Sequence, residues 1–147
     1  MKTRLLFSFL LLFVGSTVAS AQSYYELTFA VNGRTYYGLL YMNESFQSGT
    51  LRVKYYSADC GCYRLVEQAI RTERTTAGTV RLTGYRPHNP RTGFSTDYAA
   101  DNFYLYGLGA TARVFNIDDH GNTARTYSRQ LTVRSELIRY LDAFEWL

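Results

Sequence analysis

Residues 25–42 read YELTFAVNGRTYYGLLYM, and this stretch decides the fold class. In residues 25–31, apolar side chains alternate with polar or small ones, which is the period of a strand with one buried face. Asn32 and Gly33 follow, and this pair favours the positive φ angles that a type I′ turn requires at both central positions. Residues 35–42 are aromatic and β-prone again. The stretch therefore predicts an antiparallel β-hairpin.

The same signals recur along the rest of the chain. Residues 63–74 (YRLVEQAIRTER) fit one face of a helix as well as a strand. We predict a strand there, because a hairpin is the shortest connection to the next strand. Period-two alternation or β-prone composition predicts further strands at 51–56, 80–83, 102–106, 111–117 and 123–133.

After residue 133 the apolar period changes to that of a helix. Leu137, Ile138, Leu141 and Phe144 recur at helical spacing, and Ser135 is a suitable N-cap residue. About eight strands followed by one helix predict an all-β domain. We expect an up-and-down antiparallel meander that forms a barrel or a sandwich, with a short C-terminal amphipathic helix. This order of elements is similar to that of lipocalin-type barrels, on architecture alone.

The first 21 residues differ in composition from the remainder. Lys2 and Arg4 precede an apolar run at 5–14, and residues 19–21 (ASA) offer the small side chains that signal peptidase requires. The run is too short to span a bilayer. We therefore predict a secretory signal peptide at 1–21 and a single β-rich domain at 22–147. The domain should have no membrane anchor and a secreted or periplasmic location.

The predicted domain is close to electrically neutral. The chain has 16 Lys and Arg residues against 12 Asp and Glu, and loss of Lys2 and Arg4 with the signal peptide lowers the formal net charge from +4 to +2. The arginines are scattered singly along the sequence, whereas proteins that bind phosphate backbones concentrate them on one face or in runs. We therefore expect no nucleic-acid partner.

Cys60 and Cys62 are the two cysteines of the chain, and Gly61 separates them. In an oxidising compartment the pair favours a local disulfide, which the glycine permits by bending the backbone. Two inert thiols and a thiol–disulfide exchange site are the alternatives. Exchange would be helped by a cation such as Arg52 or Arg64, which would lower a thiol pKa. No thioredoxin-like βαβ pattern surrounds the pair, so we predict a structural role.

Motifs for metal binding or catalysis are missing from the sequence. The two cysteines with His88 and His120 are an adequate zinc ligand set, but their spacing matches no zinc-binding pattern. Asp118 and Asp119 lack the glycine and the distal glutamate of a calcium loop. The chain contains neither G-x-S-x-G nor H-E-x-x-H. We expect no metal, no cofactor and no catalytic residue.

Tyrosine is the main compositional excess, with 14 residues. Three pairs occur, at 24–25, 36–37 and 55–56, and one member of each must project from the non-core face because adjacent strand residues point opposite ways. Such a stripe, with nearby arginines, suits stacking on sugar rings or docking of a peptide, although tyrosine ladders also stabilise sheets unaided. The predicted ligand-binding residues are Tyr36, Arg52, Tyr56, Arg81, Tyr85 and Tyr104.

Residues 86–93 (RPHNPRTG) contain both prolines and begin the longest predicted loop. Loops of this kind often carry function, and we expect this one to frame the site. The sequence thus predicts an exported, non-catalytic β module that binds a glycan, a peptide or a partner protein. The alternatives are a lipocalin-like carrier of a small apolar ligand, which requires an interior cavity, and a thiol-redox protein that uses Cys60 and Cys62.

Overall fold

A computed structural model describes residues 22–107 and 113–147. The predicted signal peptide lies outside the described residues, as does the start of the strand predicted at 111–117. The strands are β1 (Ser23–Val31), β2 (Arg34–Met42), β3 (Ser48–Ser57), β4 (Cys62–Arg74), β5 (Val80–His88), β6 (Asn102–Tyr106), β7 (Arg113–Ile117) and β8 (Thr123–Gln130), and the helix is α1 (Arg134–Ala143).

The eight strands form a closed antiparallel barrel in sequence order. Each strand pairs with the next, and β8 pairs with β1 from Tyr25↔Gln130 to Thr28↔Tyr127. The predicted all-β meander with a C-terminal helix is confirmed, and the β1–β8 pairing makes it a barrel. The ambiguous segment at 63–74 is a strand, as predicted, because it pairs with strands on both sides.

Inward-facing side chains fill the barrel. Leu27 and Phe103 are among the largest fully buried side chains, and the rings of Phe29 and Phe103 meet edge to face at 5.2 Å. The interior cluster consists of Tyr25, Leu27, Phe29, Leu40, Met42, Leu51, Val53, Ile70, Leu82, Phe103, Leu105 and Val114. Burial of this apolar area is the main favourable contribution to folding.

Helix α1 packs on the outside of the barrel wall. Leu39 points outward from β2 and is fully buried against Leu131 and Phe144. The half-buried residues around this second cluster are Tyr24, Leu65, Leu137, Tyr140, Leu141 and Trp146. The apolar contacts of the helical segment, which we define as residues 134–147, are thus with the β1–β4 side of the barrel and with Leu131 just after β8. We call this side the helix face, and we call the outer surface of β5–β8 up to Tyr127 the open face.

Three predicted boundaries are wrong. Ser135 does not cap the helix, because the N-cap is Val133, which makes no side-chain capping hydrogen bond. β8 ends at Gln130 rather than 133, since Leu131 packs under the helix. β5 runs to His88, so the long loop begins at Asn89 instead of residue 86. In the described part of the chain, no helix is long and apolar enough to cross a membrane.

Candidate functional site

One end of the barrel carries most of the features that the sequence singled out. In an antiparallel meander, alternate connections lie at the same end. The β1–β2 turn, the β3–β4 turn with Cys60 and Cys62, the loop at 89–101 and the β7–β8 turn therefore share one end. We call it the disulfide end.

Cys60 and Cys62 are bonded to each other across the β3–β4 turn, with their Cα atoms 5.2 Å apart. Gly61 adopts a φ of 60°, which glycine takes without strain. Both cysteines are exposed, and Cys60 Sγ lies 3.8 Å and 3.7 Å from the carbonyl oxygens of Ser57 and Cys62. Carbonyl oxygens do not stabilise a thiolate, so these neighbours offer no activation of a thiol.

A shallow groove of about 270 Å³ lies on the outer wall beside this turn. Tyr37, Tyr56 and Tyr63 expose 44%, 53% and 57% of their surface. Tyr56 and Tyr63 are directly opposite on β3 and β4, and their rings meet at 5.7 Å in a T-shaped arrangement. The groove, which we call the tyrosine groove, is lined by Arg34, Thr35, Tyr37, Tyr56, Ala58 and Tyr63.

A second, more polar depression of about 420 Å³ lies on the other side of Tyr63. It separates the start of β4 from the loop at 89–101, and we call it the polar cleft. Its lining residues are Tyr55, Cys62, Tyr63, Arg64, Leu65, Val66, Asn89, Arg91, Ser95, Thr96 and Asp97. Tyr63 lines both depressions, so the tyrosine groove and the polar cleft form one continuous candidate site.

The polar cleft exposes a strand edge. β4 begins at Cys62, but its pairing with β5 begins only at Glu67↔His88. On the side away from β3, the backbone at 62–66 therefore has no strand partner within the described ranges. An open edge of this kind is a template for pairing with another extended chain. The same five residues line the cleft, so the edge faces the empty space.

The far wall of the cleft is held in a defined shape by backbone hydrogen bonds. Asn89 N donates to Phe94 O at 2.9 Å, and Thr96 N donates to Pro87 O at 3.2 Å. The Arg91 guanidinium forms a two-pronged ion pair with Glu145, just after the helix. This pairing holds the pKa of the Glu145 carboxyl below its usual value. The loop is therefore fastened both to β5 and to the helical segment.

Below the cleft, the same loop inserts a side chain into the mouth of the barrel. The Tyr98 ring packs 6.2 Å from the ring of Tyr36 and 5.3 Å from that of Tyr55. Its hydroxyl donates to Asp101 Oδ2 at 2.9 Å. Gln68, which is fully buried, donates to the same oxygen at 2.6 Å and accepts from Asp101 N at 2.8 Å. We call Tyr98, Asp101 and Gln68 the plug.

Burial raises the pKa of Asp101 to about 6, against the lowering effect of the hydrogen bonds from Gln68 and Tyr98. Removal of a carboxylate from water penalises its charged form, which is the usual cause of such a rise. Burial and the neighbouring carboxyl also raise the pKa of Tyr98, so its hydroxyl keeps its proton. The plug therefore contains one group that titrates near neutral pH.

The structure does not bring the six predicted ligand-binding residues to one place. Tyr56 lies in the tyrosine groove. Tyr36 points into the barrel mouth, where it stacks on Phe29 at 5.4 Å. The Arg52 guanidinium binds Glu67 and the carbonyl oxygens of Phe144 and Glu145, so it fastens the end of the helical segment to β3. Arg52 is thus already engaged within the protein.

The other three predicted residues lie together on the open face. Arg81 on β5 is in register with Tyr104 on β6, and Tyr85 lies farther along β5. The guanidinium of Arg71 sits 5.8 Å from the ring of Tyr85. These residues form a surface separate from the disulfide end.

Sequence reasoning missed several residues of the polar cleft. Tyr63, Arg64 and Asp97 were not singled out as ligand-binding residues, since their place depends on where the pairing of β4 with β5 stops. A bulge lies between Glu67 and Ala69, where that pairing begins. Only the length of the loop after residue 86 pointed to this region, because it predicted that the loop borders the binding site.

His88 and His120 do not join the cysteines in a cluster. His88 Nε2 lies 3.3 Å from Glu67 Oε1, and among the described residues no three His, Cys, Asp or Glu side chains are grouped so as to hold a metal ion. Comparisons of the chain with protein-family models, with curated proteins and with solved structures find no match.

Proposed function

We propose that this protein is an exported, non-catalytic binding module that takes up an extended peptide segment along the free edge of β4. The observation that carries the proposal is the unpaired backbone at 62–66, which lines a cleft of about 420 Å³. In strand addition, main-chain hydrogen bonds supply affinity and flanking pockets read alternate side chains. The cleft volume lies within the usual range for ligand pockets.

Side chains around the edge supply the contacts that such a ligand needs. The tyrosine groove offers aromatic surface for an apolar or aromatic side chain. Arg64 and Asp97 face the polar cleft with opposite charges and form no ion pair with any other described residue. The disulfide fixes the turn from which Tyr56 and Tyr63 project. The site is therefore largely preformed, which lowers the entropic cost of binding.

The experiment starts from random peptides displayed on phage and selected on the wild-type protein. Ser95→Trp places an indole in the cleft, and Thr123→Trp places the same group on the open face as a matched control. We expect selected peptides to lose at least about tenfold in affinity for Ser95→Trp and to keep their affinity for Thr123→Trp. Equal binding to both variants would contradict the proposal.

Methylation of the ligand backbone tests strand addition itself. A paired strand uses the N–H groups of alternate residues on one side, so N-methylation at one set of alternate positions should abolish binding and at the other set should not. Amide hydrogen exchange should slow at 62–66 and not at 113–117 when the peptide is bound. Peptides that tolerate both methylation patterns would rule out pairing with β4.

An oligosaccharide in the tyrosine groove is the second candidate. The exposed rings of Tyr56 and Tyr63 suit stacking on sugars. Tyr63→Ala should then abolish binding on a glycan array, whereas Tyr127→Ala, an equally exposed tyrosine on the opposite side, should not.

The other two functions expected from the sequence have less support. An apolar carrier needs space inside the barrel, where the interior cluster is packed. A redox function needs a stabilised thiolate, and the described polar neighbours of Cys60 Sγ are carbonyl oxygens.

A further inference from the structure

The acidic residues of the barrel wall lie on one half of it. Strands β5–β8 contain five arginines and no aspartate or glutamate. Strands β1–β4 contain three acidic residues, Glu26, Glu67 and Glu73, beside six basic ones. Of the five arginines, Arg129 belongs to the helix face, where it binds Glu26 and Glu136.

On the open face, two aromatic residues lie between two of the remaining arginines. Strand register places Arg81, Tyr104, Phe115 and Arg125 in one row across β5, β6, β7 and β8. Next to this row, the Tyr106 ring meets Phe115 at 5.5 Å. A shallow depression of about 290 Å³ between them is lined by Tyr106, Arg113, Phe115 and Thr123.

Arg81, Arg113 and Arg125 have no carboxylate partner in the part of the chain that the structure describes. In the two described ranges, no carboxylate oxygen lies within 4 Å of the guanidinium groups of Arg81, Arg113 or Arg125. Glu73 is opposite Arg81 in register and still forms no ion pair with it. Arg52 and Arg129 on the helix face are bound to carboxylates, whereas Arg64 on β4 is, like the arginines of the open face, in no ion pair among the described residues. The open face therefore presents guanidinium groups that are available to an external anion.

We propose that the open face binds an acidic polysaccharide, a chain of sugar rings that carry carboxylates or sulfates. The planar guanidinium group forms paired hydrogen bonds with carboxylate and sulfate oxygens. Tyr104, Tyr106 and Phe115 are the strand-register partners of Arg81, Arg113 and Arg125, and their rings offer surface on which sugar rings stack. The inference rests on a different surface from the β4 edge and does not depend on peptide binding there.

Two other anionic partners fit the open face less well. An acidic peptide would gain little from strand addition here, because β5, β6 and β7 have neighbours on both sides at the arginine row. Among the described strands of the row, only β8 lacks a second neighbour there, since its pairing with β1 stops at Tyr127, and a strand added along β8 would lie at one end of the row. An anionic membrane favours exposed aliphatic side chains that insert between lipids. The large exposed hydrophobic residues of the open face are Tyr85, Tyr106 and Tyr127, whereas Ile138 and Leu147 belong to the helical segment and Val133 directly precedes it.

The test measures binding by calorimetry to dextran sulfate, polygalacturonate and neutral dextran. We expect binding to at least one of the two acidic polymers, no binding to neutral dextran, and weaker binding as salt is raised. The double variant R81Q/R125Q should lower the affinity about tenfold or more. Both arginines are exposed and form no ion pair with another described residue, so the variant should keep the circular dichroism spectrum of the wild type.

Two further double variants distinguish a specific role of Arg81 and Arg125 from an effect of the protein's net charge. R134Q/R139Q removes the same charge from the exposed side of the helical segment and should leave the affinity unchanged. R81K/R125K keeps the charge but loses the paired hydrogen bonds, so we expect an intermediate loss of about threefold. Equal losses for R81Q/R125Q and R134Q/R139Q would show a general charge effect and overturn the inference.

Competing polymers complete the test. Failure of both acidic polysaccharides to bind would also overturn the inference, as would tighter binding of polyglutamate, single-stranded DNA or vesicles of anionic lipid through the same arginines. Ser95→Trp, which blocks the polar cleft, should leave polysaccharide binding intact. Failure at the open face and failure at the β4 edge are therefore distinguishable.

Discussion

The helix face and the open face of this barrel are built from similar strands, and only the helix face is covered from outside by an element that the structure describes. On the helix face, Leu39 is buried from outside by the helical segment, and arginines are bound by carboxylates. The open face has no covering element among the described residues, and its nearest loop turns inward as the plug. The helical segment thus covers one half of the wall from outside, and the plug supports the inner side of β2–β5 through Tyr36, Tyr55, Gln68 and Gly84. The difference leaves polar and aromatic groups free on the open half.

The largest expected effect on stability comes from weakening the contact between the helical segment and the barrel. Leu39→Ala deletes a fully buried side chain between β2 and the helical segment, so we expect a loss of about 3 kcal/mol in the free energy of unfolding. Tyr106→Ala, on the open face, should cost less than about 1 kcal/mol. Denaturant titrations of both variants check the difference. Similar losses would mean that the two faces do not differ in how they are supported.

The contribution of the plug to the stability of the protein should be larger at acidic pH than at neutral pH. In the fold, the Asp101 carboxyl keeps its proton up to a pH of about 6, whereas in the unfolded chain it loses the proton near 3.8. Between these values the folded state binds more protons, so its stability falls as the pH rises through this window, by about 2–3 kcal/mol in total.

Asp101→Asn keeps the shape of the side chain and removes the titration. We expect the stability of the wild type relative to this variant to decline from about pH 4 to about pH 6 and to be flat beyond that range. Denaturant titrations at several pH values measure this difference. Parallel profiles for the two proteins would show that Asp101 is not withdrawn from water.

A substitution at Gly84 on β5 tests how closely the plug packs against this strand. A Cβ atom at this position would lie 2.6 Å from the Asp101 carbonyl oxygen, which also accepts a hydrogen bond from Gly84 N at 2.8 Å. Gly84→Ala should therefore displace the loop and cost about 2 kcal/mol, with Thr83→Ala as the neighbouring control at about 0.5 kcal/mol or less. Thermal unfolding compares the two. If Gly84→Ala is as stable as the wild type, the loop that carries Asp101 can move away from β5 at little energetic cost.

The smallest of the four effects concerns the ion pairs of the helix face. Arg129 donates hydrogen bonds to Glu26 and Glu136 and lowers the pKa of the Glu136 carboxyl. Glu136→Gln should give a small loss of stability at neutral pH that disappears at high salt, since the pair is open to solvent. Glu73→Gln removes a carboxylate that forms no ion pair within residues 22–107 and 113–147, and it should have no effect. If both variants lose the same stability, the ion pairs of Arg129 do not stabilise the helix face.

Much of the fold could be predicted because residues close together in sequence determine the strands, the first turn and the helix. Period-two alternation located the strands, Asn32 and Gly33 gave the first turn with positive φ at both positions, and the change of period after residue 133 gave the helix. The N-cap was predicted wrongly, because Ser135 satisfies the residue preference while packing of Leu131 decides where the helix begins.

The candidate site was less predictable because its contacts join distant parts of the chain. Arg52 looked free in sequence, yet its guanidinium binds carbonyl oxygens 92 and 93 residues later. Gln68 and Asp101 are 33 residues apart, and neither carries a local signal of burial. The arginines of the open face are scattered along the sequence, and only the strand register places Arg81 and Arg125 in one row.

The pairing of β1 with β8 also has a kinetic consequence. Tyr25 and Gln130 stand near opposite ends of the domain, so the barrel closes only after nearly all of the domain has been synthesised. Pairings between residues this far apart in sequence slow folding, because the chain loses conformational entropy before the contacts form. Until closure, β1 has one unpaired edge on which another chain can pair. The speed of this last pairing therefore sets how long the newly made protein is open to aggregation.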